Sequence, residues 1–265
     1  MSTDNIITVQ NLKTILGDRV IHEDVSFTVK PREIVAIIGG SGCGKTTLLR
    51  VILRLLKPAS GNVSVFDVDI LRASDKALLS VQKRWSMMFQ GGALFSSLTV
   101  LENILYLLQE YSGLSHQTQV ELAKIKIALS GLELEAAYKY PSELSGGMRK
   151  RAAMARAIAL DPELIFLDEP TAGLDPKSAS DLDALILDMR KQLGLTFVMV
   201  THDVDTLSTV PDRIIFLGEG RVLAAEPWSA LIKNTHPAIQ LYLSGDRAKL
   251  RACLRSPGPS ENDEI

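Results

Sequence analysis

The 265-residue sequence predicts an α/β fold: a parallel sheet covered by helices, an antiparallel β subdomain beside it and an α-helical insertion within it. Three observations carry this. Short apolar runs at 34–38, 164–167 and 197–200 read as strands buried on both faces, with helical segments between them. Segments 6–12 and 25–29 alternate apolar with polar residues, as strands with one wet face do. After Gln90 comes a helical region of about seventy residues, which Pro141-Ser142-Glu143 breaks.

The elements follow in chain order. Two antiparallel strands, 6–12 and 25–29, lead to the buried strand 34–38. Gly39-Gly40-Ser41-Gly42-Cys43-Gly44-Lys45-Thr46 comes next and fits G-x-x-x-x-G-K-[ST] at every fixed position. A helix is expected from about Lys45, with Leu48, Leu49, Ile52, Leu55 and Leu56 at helical spacing. Residues 61–66 read as a strand, and 85–89 as a short buried strand ending at Gln90. In the insertion, Leu101, Ile104, Leu105 and Leu108 share one helix face, and Ala123, Ile127 and 129–132 belong to a second helix. Strand 164–167, helix 176–193, strand 197–200 and strand 214–217 complete the sheet. Along 176–193, Leu182, Leu185, Ile186, Met189 and Leu193 form one apolar stripe. The final stretch, 256–264, is rich in Pro, Ser and acids and reads as disordered. No internal repeat is found.

Composition narrows the function. An apolar content of 46% supports a substantial core, so overall disorder is excluded. A net charge of −2 leaves no general basic footprint, which counts against nucleic-acid binding driven by phosphate attraction. The two cysteines are Cys43 and Cys253; a bridge through Cys43 would obstruct a ligand in the glycine-rich loop, so a reducing cytoplasmic compartment is expected. No stretch approaches the roughly 18 apolar residues needed to cross a bilayer, and the polar start is no secretory signal.

The glycine-rich loop is a cradle for a nucleoside triphosphate. Backbone N–H groups can wrap phosphate oxygens closely only where Cβ atoms are missing. Lys45 neutralises the β- and γ-phosphates, Thr46 offers a hydroxyl to Mg²⁺, and the following helix points its positive end at the anion. Asp168 and Glu169 stand at the end of a buried strand, where open α/β sheets hold ligands. Asp168 is expected to hold Mg²⁺ and Glu169 to polarise an attacking water. Leu144-Ser145-Gly146-Gly147-Met148 reads either as a helix cap or as a second anion site of hydroxyl and free N–H groups. Asp175 before Pro176 is a good helix N-cap.

The phosphate loop, Gln90, Leu-Ser-Gly-Gly at 144–147, Asp168-Glu169-Pro170, Gly173-Leu174-Asp175 and Val200-Thr201-His202-Asp203 come in an order that resembles the nucleotide-binding domain of ATP-binding-cassette (ABC) proteins. The match covers about 6–235. The resemblance implies a RecA-like P-loop NTPase core, the ABC ATPase fold, binding ATP and Mg²⁺. The core then comprises 1–90 and 161–235, the helical subdomain 91–160, and a C-terminal extension 236–265. Gly39, Gly40, Ser41, Gly42, Cys43, Gly44, Lys45, Thr46 and Thr47 are implied to hold the phosphates, with Asp175 also at the nucleotide. Thr46, Gln90 and Asp168 hold the metal, Gln90 also links metal or water to the insertion, Glu169 is the base, and His202 touches the γ-phosphate. Ser145, Gly146 and Gly147 serve the ATP of a second subunit, so a dimer is implied.

One departure stands out. The family presents an aromatic ring to adenine shortly before the loop, yet 11–23 contains no Tyr, Phe or Trp, and Thr14 or Leu16 takes that place. Gln90-Gly91-Gly92-Ala93-Leu94-Phe95 and Met148 resemble the Mla-type ATPases that serve MCE (mammalian cell entry) lipid transporters, and His236-Pro237-Ala238-Ile239-Gln240 resembles the start of their C-terminal extension. That likeness implies a separate membrane permease, a periplasmic MCE protein and a place on the cytoplasmic face of the bacterial inner membrane. Leu94 and Phe95 either receive the permease or belong to the insertion's core. Arg149, Lys150 and Arg151 read as a solvated helix face or a contact with the partner subunit.

Overall fold

The structure, a computed structural model, describes residues 5–245; Cys253 and the 256–264 stretch lie outside the described residues. Among the described residues ten strands form one sheet: β1 (Ile7–Leu16), β2 (Arg19–Val29), β3 (Ile34–Ile38), β4 (Ser60–Val65), β5 (Val68–Asp69), β6 (Trp85–Met88), β7 (Leu164–Asp168), β8 (Thr196–Val200), β9 (Arg213–Gly218) and β10 (Arg221–Glu226). Their order is β5-β4-β1-β2-β10-β9-β3-β8-β7-β6. The neighbours β9, β3, β8, β7 and β6 pair in parallel, whereas β1 pairs antiparallel with both β2 and β4. The β9–β10 hairpin joins the two parts, and β10 meets β2 at Arg221 and Asp24.

The period of two along each strand divides the interior. In β3, Ile34, Ala36 and Ile38 face Leu182 and Ile186 of α6 (Pro176–Leu193), while Val35 and Ile37 face Leu48, Leu49 and Ile52 of α1 (Lys45–Ile52). A third core lies in the insertion. There Ile104 and Leu108 of α3 (Val100–Tyr111) meet Ala123 and Ile127 of α4 (His116–Leu129) and Ala152 and Ala155 of α5 (Gly146–Ala157). Helix α5 serves two cores, because Ala153, Met154 and Ala157 on its other side pack against the sheet. Residues 237–245 form a helix whose Ile239 and Leu243 also pack into the first core.

Several expected boundaries move. Helix α1 stops at Ile52, with Arg54 in the left-handed region at φ 56, so Leu55 and Leu56 lie beyond it and Leu55 is 67% exposed. Leu193 closes α6 exposed, and Leu132 falls past the end of α4 although it is still buried. Strands β5 and β10 and helices α2 (Asp75–Gln82) and α7 (Val204–Thr209) have no counterpart in the sequence-based expectation.

Candidate functional site

Parallel register places the chemistry along one edge. Ile37 pairs with Val200, Val200 with Asp168, and Leu167 with Met88. The phosphate loop after β3, His202 after β8, Glu169 after β7 and Gln90 after β6 therefore all emerge at the carboxyl ends, where such sheets bind ligands. Strand spacing separates β3 from β7 by about 10 Å.

The loop is built tightly. A Cβ on Gly39 would lie 2.2 Å from the Leu217 carbonyl oxygen, and one on Gly44 2.4 Å from His22 Nε2. Gly44, at φ 97, is also the N-cap of α1 and offers no capping side chain, so the first-turn N–H groups of α1 are left for a ligand. Lys45 Nζ donates to the carbonyls of Gly39 at 2.7 Å and Gly40 at 3.2 Å, which holds the ammonium over the loop. Cys43 is a free thiol beside Gly39 and Lys45, and its side chain packs toward the second core.

Asp168 and Glu169 share the end of β7. Burial, then the neighbouring Glu169 charge, holds the Asp168 carboxyl above its ordinary pKa; Lys150 and Arg50 pull the other way. Glu169 sits in the left-handed region at φ 47, a costly conformation for a residue with a side chain, and its N–H donates to the Val200 carbonyl. That turn brings Glu169 Oε1 to 2.8 Å from His202 Nδ1. With the carboxylate ionised, the imidazole N–H is the donor. Glu169 is largely buried and His202 mostly exposed, so the pair joins the interior to the open edge.

Lys150 is a site residue that its basic neighbours hide in the sequence. It is buried, and its Nζ donates to the Gln90 carbonyl at 2.6 Å and the Glu169 carbonyl at 3.0 Å. Burial lowers its pKa, opposed by the Glu169 and Asp168 charges. Arg149 donates to the Pro141 and Leu144 carbonyls and Arg151 to the Ser130 carbonyl. The triplet therefore divides: Arg149 stays on the exposed face and Arg151 is half-buried, and the expectation of a solvated face is corrected for Lys150 alone. The signal was present: Lys150, Ala153, Met154 and Ala157 share one helical stripe.

Ser145 caps α5 by accepting from Met148 N, and Asp175 caps α6 by accepting from Ser178 N; the Ser178 hydroxyl first, and then its N–H, lower the Asp175 carboxyl pKa. A Cβ on Gly146 or Gly147 would meet its nearest neighbour in this chain at 3.4 Å, contact that can be accommodated. Alanine would serve the helix better, so the chain's own packing gives no reason for two glycines here. The groove beside Ser145 and Gly147 is lined by Glu133, Met148, Arg151, Ser178 and Asp181, and the phosphate loop contributes nothing to it. At the adenine side, Thr14 is fully buried opposite His22, while Leu16 is exposed, so Leu16 alone of the two candidates can face a base. Leu94 packs into the insertion's core, whereas Phe95 is exposed and edges onto Tyr106 at 5.2 Å between centroids.

The fold and this edge define a class of protein. The family model described as ABC transporter matches residues 22–172, and the chain belongs to that family of ATP-hydrolysing, ATP-binding cassettes. It is 39% identical over 242 residues to the "Intermembrane phospholipid transport system ATP-binding protein MlaF" of Haemophilus influenzae, covering 91% of each chain. The Escherichia coli K12 protein of the same description is 39% identical over 92% of this chain and 90% of its own. A Mycobacterium bovis protein described as "Probable ribonucleotide transport ATP-binding protein mkl" is 35% identical over 91% of this chain and 67% of its own. Among solved structures, the ATP-binding cassette MJ0796, a dimer in a post-hydrolysis state bound to ADP and Pi, superposes with a TM-score of 0.75 at 32% identity over 83% of this chain and 98% of its own. CbiO1 from Clostridium perfringens gives 0.79 at 26% identity over 96% and 100%.

Proposed function

We propose that this chain is the ATPase subunit of a transporter that moves phospholipid or a related hydrophobic molecule through a separate permease, together with an MCE protein, from the cytoplasmic face of a bacterial inner membrane. Two copies close around ATP and reopen after hydrolysis. The observation that carries the chemistry is the 2.8 Å link between Glu169 and His202 at the same sheet edge as the phosphate loop. Lys45 and the N–H groups of residues 39–47 hold the phosphates, and Glu169 takes a proton from the attacking water. His202 orients Glu169 and reaches toward the γ-phosphate, while Ser145, Gly146 and Gly147 clasp the ATP held by the other copy and Asp175 stands beside it. Thr46, Asp168 and Gln90 would hold Mg²⁺, which supplies charge neutralisation between the phosphates when bound. The donor set fits: a hydroxyl, an amide and a carboxylate offer the hard oxygen ligands that Mg²⁺ takes, and the Glu169 charge beside Asp168 favours a cation there.

The cargo assignment draws support from the relatives described as phospholipid transport ATPases. A surface for the permease is also at hand. Arg156 donates to the Gly92 and Ala93 carbonyls and lines an apolar cleft with Leu79, Trp85, Leu107 and Tyr111. No helix among the described residues is long and apolar enough to cross a membrane, so membrane work calls for a partner. The mycobacterial relatives, described as probable ribonucleotide transport proteins, favour a second reading with a polar cargo.

Replacing Glu169 by Gln is expected to slow turnover by about 10²–10⁴ while ATP binding persists and a nucleotide-loaded dimer accumulates in gel filtration. Unchanged steady-state turnover would remove Glu169 from the mechanism. Purification of the membrane complex tests the cargo: phospholipid and an MCE protein are expected, and a solute-binding importer without either overturns the lipid reading.

A further inference from the structure

The β1–β2 hairpin buries a polar pair where apolar residues would pack at less cost. Thr14 and His22 stand opposite each other across the two strands, and both are fully buried. Thr14 Oγ1 has no hydrogen-bond partner, and the polar contact of the His22 ring, with the Gly44 backbone, stops short of a closed hydrogen bond. Buried polar atoms left in that state cost stability. β1 also slips register against β2 on both sides of Thr14, an irregularity that re-aims side chains. The His22 ring reaches the phosphate loop, where Nε2 and Cε1 take the space in which a Cβ of Gly44 would stand. Gly44 is a sensitive point to touch. Its carbonyl accepts from Leu48 N at 2.8 Å and keeps a second lone pair, and across the same peptide unit lies the Lys45 N–H, a first-turn donor of α1 that no side chain caps.

We propose that His22 is a positioning residue for the nucleotide's phosphates: a ring N–H acts on the Gly44 carbonyl and polarises the peptide between Gly44 and Lys45, so that the Lys45 N–H grips a phosphate oxygen more strongly. Hydrogen bonds in a chain strengthen one another in a dry interior. The effect runs both ways. A phosphate that draws on the Lys45 N–H makes the Gly44 carbonyl a better acceptor and closes its contact with the ring. Space-filling alone does not account for the residue, since the other close neighbour of Gly44 is the aliphatic Ile21, and a leucine at 22 would fill the site without burying ring nitrogens. Burial keeps the ring neutral at pH 7.5, so no charge on His22 is needed. The inference is independent of the cargo and requires only that the loop holds nucleotide.

Calorimetric titration of the full-length protein with MgADP at pH 7.5 tests this in His22→Leu and His22→Gln, two side chains close to histidine in volume of which only glutamine carries an N–H donor. His22→Leu is expected to bind about fivefold or more weakly than wild type although its urea midpoint is no lower, and His22→Gln to stay within about twofold of wild type. A purely structural role would move both alike. A second measurement does not depend on how His22→Leu folds: in wild-type protein labelled with ¹⁵N-histidine, a ring N–H resonance that is missing from His22→Gln is expected to shift downfield as MgADP is added. The proposal is overturned if His22→Leu binds as wild type does, if the two variants weaken binding equally, or if the ring resonance stays in place. Failure of wild type itself to bind MgADP would instead sink the reading of the loop as a nucleotide cradle, and this inference with it.

Discussion

Two buried titratable residues oppose each other in how they answer to pH. Burial raises the Asp183 pKa from 3.8 to about 6, so the folded protein holds that proton more tightly than the unfolded chain. The penalty for ionising it grows as pH rises through that interval and is complete above about 6, where it amounts to at most about 3 kcal/mol. Asp183→Asn keeps an acceptor for Thr206 and removes the charge. It is therefore expected to raise stability by about 1–3 kcal/mol at pH 8 and by little at pH 4, as urea denaturation at the two values would show. His22 behaves in the opposite sense. Fully buried against Gly44, it is held below its ordinary pKa of 6.5 by burial, with the Gly44 backbone pulling more weakly the other way. The stability it permits is present above 6.5 and is lost as pH falls and the unfolded chain takes up the proton. His22→Leu is expected to flatten the decline between pH 6.5 and 5; an unchanged slope in the same denaturation series would show that His22 is not its source. Neither residue drew notice in the sequence, because burial of a single polar side chain among apolar neighbours is a property of the packed interior and leaves no local pattern.

At the scale of elements, what was legible depended on how each piece is stabilised. Strands β3, β7 and β8 are buried on both faces and read as unbroken apolar runs; α6 shows its stripe through Leu182, Ile186 and Met189. Strand β10 has no fully buried residue, and α2 buries only Val81, so neither shows a periodic signal above its surroundings. The phosphate loop and the residues after β7 and β8 were legible because phosphate chemistry restricts residue type at fixed spacing. Lys150 was not, since its role lies in carbonyls 60 and 19 residues away in the chain. That role makes α5 a strut between the insertion and the strand ends that carry Gln90 and Glu169. Lys150→Met keeps the stem volume and strands both carbonyls without a donor. A fall in kcat of about tenfold or more is expected, since small misplacements of reacting groups are costly, with the KM for ATP changed far less. Equal losses in both, or none in either, would deny the strut.

The whole molecule carries its two halves of chemistry on separate surfaces. The phosphate loop follows β3, whereas Ser145, Gly146 and Gly147 open α5 on the insertion, beside a groove that the loop does not reach. Two glycines that the chain's own packing does not require make sense if another molecule's phosphates approach them. In a head-to-tail pair each ATP then touches the loop of one copy and the Ser-Gly-Gly turn of the other, so damage to the two motifs should complement across copies. Mixing Lys45→Ala with Ser145→Arg leaves each mixed dimer with one wholly intact pocket and one doubly damaged. If both copies also carry Glu169→Gln, trapped ATP can be counted without turnover, which frees the result from any cooperation between pockets. One ATP per mixed dimer is expected, against two for Glu169→Gln alone and none for either unmixed damaged parent. No trapped ATP in mixed dimers isolated with two different affinity tags would mean that each chain closes its own pocket, and the separation of the two motifs on this surface would then need another explanation.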